Sequence, residues 1–311
     1  MWELKKSVPL CQQTGYGFSF CTLFFNLKFF LKMKKVAVFA IDYQNDFCDI
    51  SPNDLPQKNA NPMYSPALPV NGAVEDVKRF TAWAKQNLSK IQRFYFTQDS
   101  HHRFDIAHPS WWQDKDGNIV SPFTLITSAD ITSGKYIPRM NYKHSFSYVK
   151  SLEDQGEFPH FIWPEHCIMG TWGHNFHDEI NSLIAEINLS GNWPNIITKG
   201  SNPYTEHFGA FRANIPMAQD PSTSLDFNLI NALMSMDEVI IVGEARSHCV
   251  ANSLRQLVQE APSLAPKLVI FEDCMSDVPN LPADFYVGVQ KIYDDAKAQG
   301  VRIETTTSYK F

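Results

Sequence analysis

The amino-acid sequence predicts an α/β fold of three layers, with helices on both faces of a mostly parallel sheet of about six strands. Short apolar runs without polar alternation are typical of strands that are buried on both faces, and the clearest are KVAVFAID and VIIVG. Segments with helical periodicity separate these runs. Such alternation favours parallel strands joined by right-handed crossovers.

The elements follow one another in a regular order. The predicted strands cover residues 35–42, 91–97, 195–198, 239–242, 268–271 and 301–304. The predicted helices cover residues 73–88, 174–187, 224–234 and 283–298, and a further helix begins near Ser247. In the first helix, Val74, Val77 and Phe80 recur at the spacing of one helix face.

Composition limits the class of protein. The chain has 311 residues and a formal net charge of −6, which argues against nucleic acid or an anionic membrane as a partner. Its six cysteines are scattered without a CxxC pair, which is typical of reduced thiols in a cytosolic protein. We therefore expect a cytoplasmic protein that acts on a small molecule. The composition is compatible with a homo-oligomer.

Residues 1–33 differ from the rest of the chain. Residues 18–31 are rich in Phe and Leu, but Asn26 and Lys28 make the stretch too short and too polar to span a membrane. No small-residue cleavage site follows it. We expect an N-terminal extension that packs poorly or lies upstream of the natural start, with a vestigial targeting segment as the alternative. Residues 34–311 would then form one domain.

A long insertion interrupts this domain at about residues 102–161. The segment looks like a loop, yet it carries many aromatic residues, among them Trp111, Trp112 and Phe123. Loops of this length inside a domain are often functional. Because both of its ends adjoin candidate metal ligands, we expect it to fold over the mouth of the site. The alternative is that it packs against a partner subunit.

Four chemically reactive side chains come directly after four different predicted strands. They are Asp42, Asp99, Lys199 and Cys249. Ligands of open α/β sheets bind outside the carboxyl ends of the strands. The sequence therefore predicts that these side chains converge on one crevice.

Cys249 is the candidate nucleophile. Gly243 ends the preceding strand, and Ser247 is a plausible N-cap, so Cys249 would lie in the first turn of a helix. Unpaired N–H groups and the helix dipole there favour a thiolate. The alternative, a small buried core cysteine, is equally consistent with this stretch alone.

Asp42 and Lys199 supply what a cysteine nucleophile needs. Asp42 can accept the thiol proton, and Lys199 can hold Asp42 ionised and lower the pKa of the thiol. Singly, Asp42 could cap a turn and Lys199 could be a solvated surface residue. Together with Cys249 at neighbouring strand ends they predict a Cys-Asp-Lys hydrolytic triad.

A metal site is predicted beside this triad. In extended backbone the side chains of Asp99 and His101 point to the same side. His108 and His166 lie on adjoining loops, and one of the histidines could be a hydrogen-bonded loop residue, as His102 is expected to be. A carboxylate with two or three imidazoles suits Zn²⁺, Fe²⁺ or Mn²⁺.

These motifs together resemble the nicotinamidase/pyrazinamidase branch of the isochorismatase-like cysteine hydrolases. The resemblance covers roughly residues 34–305. Its motifs are, in order, Asp42-Tyr43-Gln44-Asn45-Asp46-Phe47, Thr97-Gln98-Asp99-Ser100-His101, Trp163-Pro164-Glu165-His166-Cys167 with Gly170-Thr171-x-Gly173, Lys199-Gly200, and Gly243-Glu244-Ala245-Arg246-Ser247-His248-Cys249-Val250.

The resemblance implies roles for these residues. Cys249 would be the nucleophile, Asp42 the general acid/base and Lys199 the third member of the triad. A cis bond at Glu244–Ala245 would aim the N–H groups of Ala245 and Cys249 into an oxyanion hole. One divalent metal ion, Zn or Fe with Mn as a further choice, would be held by Asp99, His101, His166 and, at a spacing from His101 one residue longer than usual, His108. The substrate site would be lined by Phe47, Trp163 and His248.

The implied activity is metal-dependent hydrolysis of nicotinamide, or a similar small carboxamide, to the acid and ammonia through a thioester, as in NAD salvage. Departures from the family pattern leave the substrate less defined than the chemistry; they are Ser100, Met169, Arg246-Ser247 and the long insertion. A relative that acts on a ureido or carbamoyl compound is one alternative. A non-catalytic metal-binding or thiol-sensing protein is another.

Overall fold

A six-stranded parallel sheet runs through the centre of the computed structural model, which describes residues 34–56 and 64–311. The strand order is β5-β2-β1-β6-β7-β8, and the strands are β1 Val36–Ile41, β2 Ile91–Asp99, β5 Asn195–Lys199, β6 Glu238–Gly243, β7 Leu268–Phe271 and β8 Arg302–Glu304. The predicted sheet of about six strands is confirmed. The expectations for residues 1–33 lie outside the described residues.

Helices cover both faces of this sheet. The five that do so are α1 Ala73–Gln86, α4 Asp178–Leu189, α5 Phe227–Met234, α6 Ala251–Glu260 and α7 Ala283–Ala298. Side chains of α1 and α4 share one apolar core with Val38 and Ala40 of β1, whereas those of α5, α6 and α7 share the other with Phe39 and Ile41. Since successive strand side chains point to opposite faces, both faces of β1 must be apolar. The three-layer prediction is confirmed.

The segment 102–161 is not loop-like, and that prediction is wrong. It contains a two-stranded antiparallel sheet and two helices: β3 Trp112–Asp114, α2 Ser128–Thr132, β4 Tyr136–Pro138 and α3 Tyr142–Gln155. These elements share a third apolar cluster that includes Trp111, Trp112, Ile131 and Leu152. The aromatic residues of the insertion therefore serve mainly to build its own core.

The sequence of the α3 helix gives only a weak helical signal. Its buried positions, Ser145, Tyr148, Val149 and Leu152, follow helical spacing, but one of them is polar, and the aromatic Tyr142, three residues before Ser145, is exposed. Gly156, in the left-handed conformation with φ 64°, ends the helix. A helix stabilised by packing within an insertion has a weak periodic signal.

Two further observations concern the class of protein. Within the described ranges, no helix is both long and apolar enough to cross a membrane. Four cysteines in those ranges, Cys48, Cys167, Cys249 and Cys274, are buried free thiols.

Candidate active site

Asp42, Asp99, Lys199 and Cys249 meet at the carboxyl edge of the sheet. The Nζ atom of Lys199 lies 2.9 Å from Oδ2 of Asp42, 3.0 Å from Oδ1 of Asp99 and 3.6 Å from Sγ of Cys249. All four side chains are buried. The structure thus brings together the four residues that the strand ends predict.

Backbone and hydroxyl contacts orient Asp42. The residue follows β1 in a left-handed conformation with φ 49°, which is uncommon for a residue other than glycine. The hydroxyl of Thr97 donates to Oδ1 of Asp42 at 2.5 Å and accepts the N–H of Asp42 at 3.1 Å. The other carboxylate oxygen of Asp42 is thereby left facing Lys199 and Cys249.

Burial dominates the charge state of the cysteine. It raises the pKa of the Cys249 thiol well above its usual value, although Lys199 acts in the opposite direction. The pKa direction favours the thiol over the expected thiolate, because desolvation outweighs the charge of Lys199. Burial also raises the pKa of Asp42 against the effect of Lys199, and the Asp42 carboxyl and the Cys249 thiol lie on the same lysine ammonium. A proton can therefore be shared between Cys249 and Asp42.

The turn before Cys249 differs from the predicted one. A wide π-helical turn, Arg246–Val250, precedes α6, and its N-cap residue is Ala245. Ser247 is not the N-cap: its hydroxyl accepts the N–H of Val278 at 3.0 Å and bonds with Nδ1 of His248 at 2.9 Å. A serine at this position looks like a cap in sequence, but its hydroxyl is taken by a distant loop.

The backbone at Gly243–Ala245 permits a close approach to β1. Gly243 has φ 137°, and a Cβ atom there would lie 2.2 Å from the carbonyl oxygen of Ile41. The Glu244–Ala245 peptide bond is cis, as the resemblance implies. Among the described residues, no acceptor takes the N–H of Ala245. That N–H is thus available at the pocket wall, and the oxyanion hole of Ala245 and Cys249 stays a prediction.

Three buried histidines form a cluster next to Asp99. Ligand atoms of His101, His108 and His166 all lie within 4.8 Å of one another. Oδ2 of Asp99 lies 3.1 Å from Nε2 of His101 and 3.5 Å from Nε2 of His166. The structure therefore places His108 in the cluster despite its longer spacing.

Each histidine of the cluster is held by an acceptor at Nδ1. His101 contacts Oδ2 of Asp105 at 3.1 Å, His166 the carbonyl oxygen of Pro164 at 2.7 Å, and His108 that of His102 at 3.0 Å. When Nδ1 donates, Nε2 carries the lone pair, which is how ligating histidines are commonly oriented. His102 itself is exposed and contributes only its carbonyl oxygen.

This donor set fits one divalent ion. Ligands at about 2.1 Å from a tetrahedral ion lie about 3.4 Å apart, close to the Asp99–histidine distances given above. Nε2 of His108 is buried with no hydrogen-bond partner in the described part of the chain. Burial also lowers the pKa of His108 to about 2, so its imidazole is neutral and can act as a ligand.

Glu206 is a site residue that the sequence reasoning missed. Its Oε1 lies 3.9 Å from Nε2 of His101, and its Oε2 has no partner within the described residues. Burial raises its pKa. The hydroxyl of Tyr148, from α3, accepts the N–H of Glu206 at 3.1 Å. The only sequence signal is that the loop after β5, which returns across the strand ends, carries a carboxylate seven residues beyond Lys199.

A narrow, mostly apolar pocket opens above Cys249. Its lining includes Phe47, Leu68, Trp163, His166, Phe208, Ala245, His248 and Val278. The ring of His248 stacks on Phe285 at 5.0 Å and meets the edge of Trp163 at 5.1 Å. Burial lowers the pKa of His248 to about 3, so its ring is neutral. The three predicted substrate-site residues thus surround the cysteine, and their binding role stays a prediction.

Comparison with solved structures finds the same fold among nicotinamidases. The yeast nicotinamidase Pnc1p bound to the inhibitor nicotinaldehyde is 19% identical, covers 87% of this chain and 99% of its own, and has a TM-score of 0.56. A nicotinamidase/pyrazinamidase from Acinetobacter baumanii is 19% identical over 89% of this chain and 98% of its own, with a TM-score of 0.56. PnC1 from L. infantum in complex with nicotinate is 15% identical over 88% of this chain and 94% of its own, with a TM-score of 0.50.

These likenesses establish the fold. The chain has the three-layer α/β fold of the nicotinamidase and pyrazinamidase structures, which is the isochorismatase-like fold that its motifs imply. No protein-family model matches the sequence, and a comparison with curated proteins finds no match.

Proposed function

We propose that this protein is a metal-dependent cysteine amidohydrolase that converts a small aromatic carboxamide, with nicotinamide as the leading candidate, to the acid and ammonia. The observation that carries the proposal is the position of the Lys199 ammonium between the Asp42 carboxylate and the Cys249 sulfur, at the floor of an apolar pocket. The nicotinamide assignment is supported by the fold shared with nicotinamidases.

The first half of the reaction forms a thioester. Asp42 accepts the proton of the Cys249 thiol, and the sulfur attacks the amide carbonyl carbon. The positive charge of Lys199, 3.6 Å from Sγ, stabilises the thiolate against the cost of burial. Negative charge that develops on the carbonyl oxygen is accepted by backbone N–H groups, with that of Ala245 available. Asp42 then returns the proton to the departing nitrogen, and ammonia leaves as the C–N bond breaks.

The second half hydrolyses the thioester. A water molecule loses a proton to the same carboxylate of Asp42 and attacks the carbonyl carbon. The C–S bond breaks, the carboxylic acid leaves and the sulfur recovers its proton. A carboxyl group whose pKa burial raises above its usual value is suited to both steps, because it accepts a proton more readily than a solvated carboxylate does.

The predicted metal ligands lie next to this pocket. Asp99, His101, His108 and His166 would hold one divalent ion, and the ion would supply a Lewis-acid contact for a ring nitrogen of the substrate. Phe47 and Trp163 enclose the space between this cluster and Cys249. These aromatic side chains would exclude water and orient the flat ring of the substrate.

The proposal is tested by ammonia release from a panel of amides. The full chain is loaded separately with Zn²⁺, Fe²⁺ and Mn²⁺ and offered nicotinamide, pyrazinamide, benzamide and a ureido compound. We expect turnover of the aromatic carboxamides, with nicotinamide or pyrazinamide the fastest. Release of ammonia from the ureido compound alone, or from none of the panel with any of the metals, would overturn the proposal.

A further inference from the structure

A second and much larger cavity adjoins the catalytic pocket. We propose that it binds an apolar extension carried by the amide substrate at the end opposite to the carboxamide. This inference rests on the proposed function and deepens it, because it makes the preferred substrate larger than an unsubstituted aromatic carboxamide. We refer to the cavity as the outer chamber and define it by its lining: Ala67, Leu68, Pro69, Phe123, Phe161 and residues 278–282.

The outer chamber is large enough for a sizeable group. It has a volume of about 650 Å³, whereas the pocket directly above Cys249 has about 20 Å³ of open space. Pockets that bind small organic ligands commonly have volumes of about 300–1,000 Å³. The narrow inner pocket suits the carboxamide and its flat ring, so a further substituent on that ring would lie in the outer chamber.

The two cavities are neighbours. Leu68 and Val278 line both of them. The rings of Phe123 and Phe161, in the outer chamber, lie 6.1 Å and 5.9 Å from that of Trp163, which lines the inner pocket. The shared and adjoining apolar side chains therefore place the outer chamber within reach of a group attached to a substrate in the inner pocket.

The backbone of Phe123 has a left-handed conformation, which is unfavourable for a bulky side chain. It has φ 64°, and its side chain is 53% exposed. A bulky residue in the left-handed region is an outlier, and such residues cluster at functional sites. A hydrogen bond from its N–H to the carbonyl oxygen of Ile162, 2.5 Å long, holds the turn in place. The insertion thus presents an exposed aromatic ring to the chamber.

The lining defines the chemistry of the bound group. Of the described residues in the wall, Asn280 is the one polar member, and the wall carries no charged side chain. A charged extension would lose its hydration there without a partner, whereas an aryl or branched alkyl group would be stabilised by burial. The outer chamber therefore fits a neutral apolar substituent.

The test compares pairs of substrates that differ by one phenyl group. The first pair is benzamide and para-phenylbenzamide, and the second is nicotinamide with and without a phenyl group meta to the carboxamide. We expect kcat/KM to be about tenfold or more higher for the extended member of at least one pair, since burial of an aromatic ring contributes that much or more. Phe123→Ala and Leu281→Ala should remove this advantage and leave the short amides within about twofold of the parent.

Phe227→Ala is the matched control, because Phe227 is an exposed phenylalanine, on α5, that does not line the chamber. Equal or lower kcat/KM for both extended amides, or an equal effect of Phe123→Ala on short and extended amides, would overturn the inference.

The binding of an extended ligand can be tested even if the proposed amide hydrolysis is wrong. If the wild-type chain hydrolyses no amide, calorimetry of the same ligand pairs with that chain still tests the outer chamber. Tighter binding of an extended member, lost in Phe123→Ala and kept in Phe227→Ala, would support it. Equal affinity within both pairs would overturn it.

Discussion

The Nζ atom of Lys199 lies 3.6 Å from the Sγ atom of Cys249, and both atoms are buried at the end of the sheet. Burial raises the pKa of the cysteine, and the lysine charge acts against that rise. The lysine is held there by two carboxylates, those of Asp42 and Asp99. One ammonium group therefore links the predicted triad, through Asp42, to the predicted metal ligands, through Asp99.

Replacement of Lys199 by methionine should reduce both activity and stability. Removal of one group that stabilises developing charge costs about 10²–10³ in kcat. Asp42 and Asp99 would also lose their shared buried counter-charge, which costs about 3–5 kcal/mol of the free energy of unfolding. Lys267→Met is the control, because Lys267 bonds only backbone carbonyl groups in the described structure. Ammonia release and denaturant unfolding test both effects; a stable, fully active Lys199→Met protein would contradict them.

The prediction for His108 concerns metal affinity. His108→Ala should weaken binding of Zn²⁺ by at least about tenfold, because it removes a neutral imidazole whose buried Nε2 has no partner among the described residues. His102→Ala is a close control, since that exposed residue contributes only its carbonyl oxygen, to His108. Competition with a chelator of known affinity measures the change. An unchanged affinity, or an equal loss in the control, would remove His108 from the ligand set.

Glu206→Gln should also weaken metal binding, by several-fold, while the protein stays folded. The carboxylate adds negative charge 3.9 Å from Nε2 of His101, and the amide has the same shape without the charge. Glu165→Gln is the control, because Glu165 adjoins a histidine of the cluster but pairs outward with Arg103. The chelator competition applies again, and identical affinities in the two variants would show that Glu206 is only structural.

The convergence of the residues at the strand ends could be predicted because their strands have a strong sequence signal. A strand buried on both faces is a continuous apolar run, so the polar residue that follows it, such as Asp42 or Lys199, is easy to locate. Parallel connectivity then places those residues at one edge of the sheet. The sequence also located the histidines, although the inclusion of His108 depended on a loop whose course it does not determine.

What the sequence did not predict depends on tertiary contacts. The helix α3 is stabilised by a local core that no short window shows, and Glu206 lies on an irregular loop. Ser247 has the residue type and position of an N-cap, but its hydroxyl contacts Val278, which is 31 residues away in the sequence. The protonation state of Cys249 was missed for the same reason, since burial depends on elements that pack from several parts of the chain.

Acid should destabilise the insertion through His160. Burial lowers the pKa of this histidine from 6.5 to about 3. Between these two pH values the unfolded chain binds a proton that the folded protein does not, so stability falls as pH falls. His160→Phe keeps a ring beside Trp112 and Tyr148 and should reduce the slope of unfolding free energy against pH by up to about 1.4 kcal/mol per pH unit. Denaturant unfolding at several pH values measures it, and parallel curves for the two proteins would contradict the prediction.

In the proposed mechanism, Cys249 carries the acyl group during amide hydrolysis. Rapid acid quench of the metal-loaded enzyme with saturating nicotinamide, followed by mass spectrometry of peptides, measures this directly. Cys274→Ala is the matched control, because Cys274 is a buried free thiol that does not line the pocket. We expect an acyl adduct on the Cys249 peptide in the wild type and in Cys274→Ala, and neither adduct nor ammonia in Cys249→Ala. Ammonia release by Cys249→Ala at the wild-type rate, or an adduct on another residue, would contradict it.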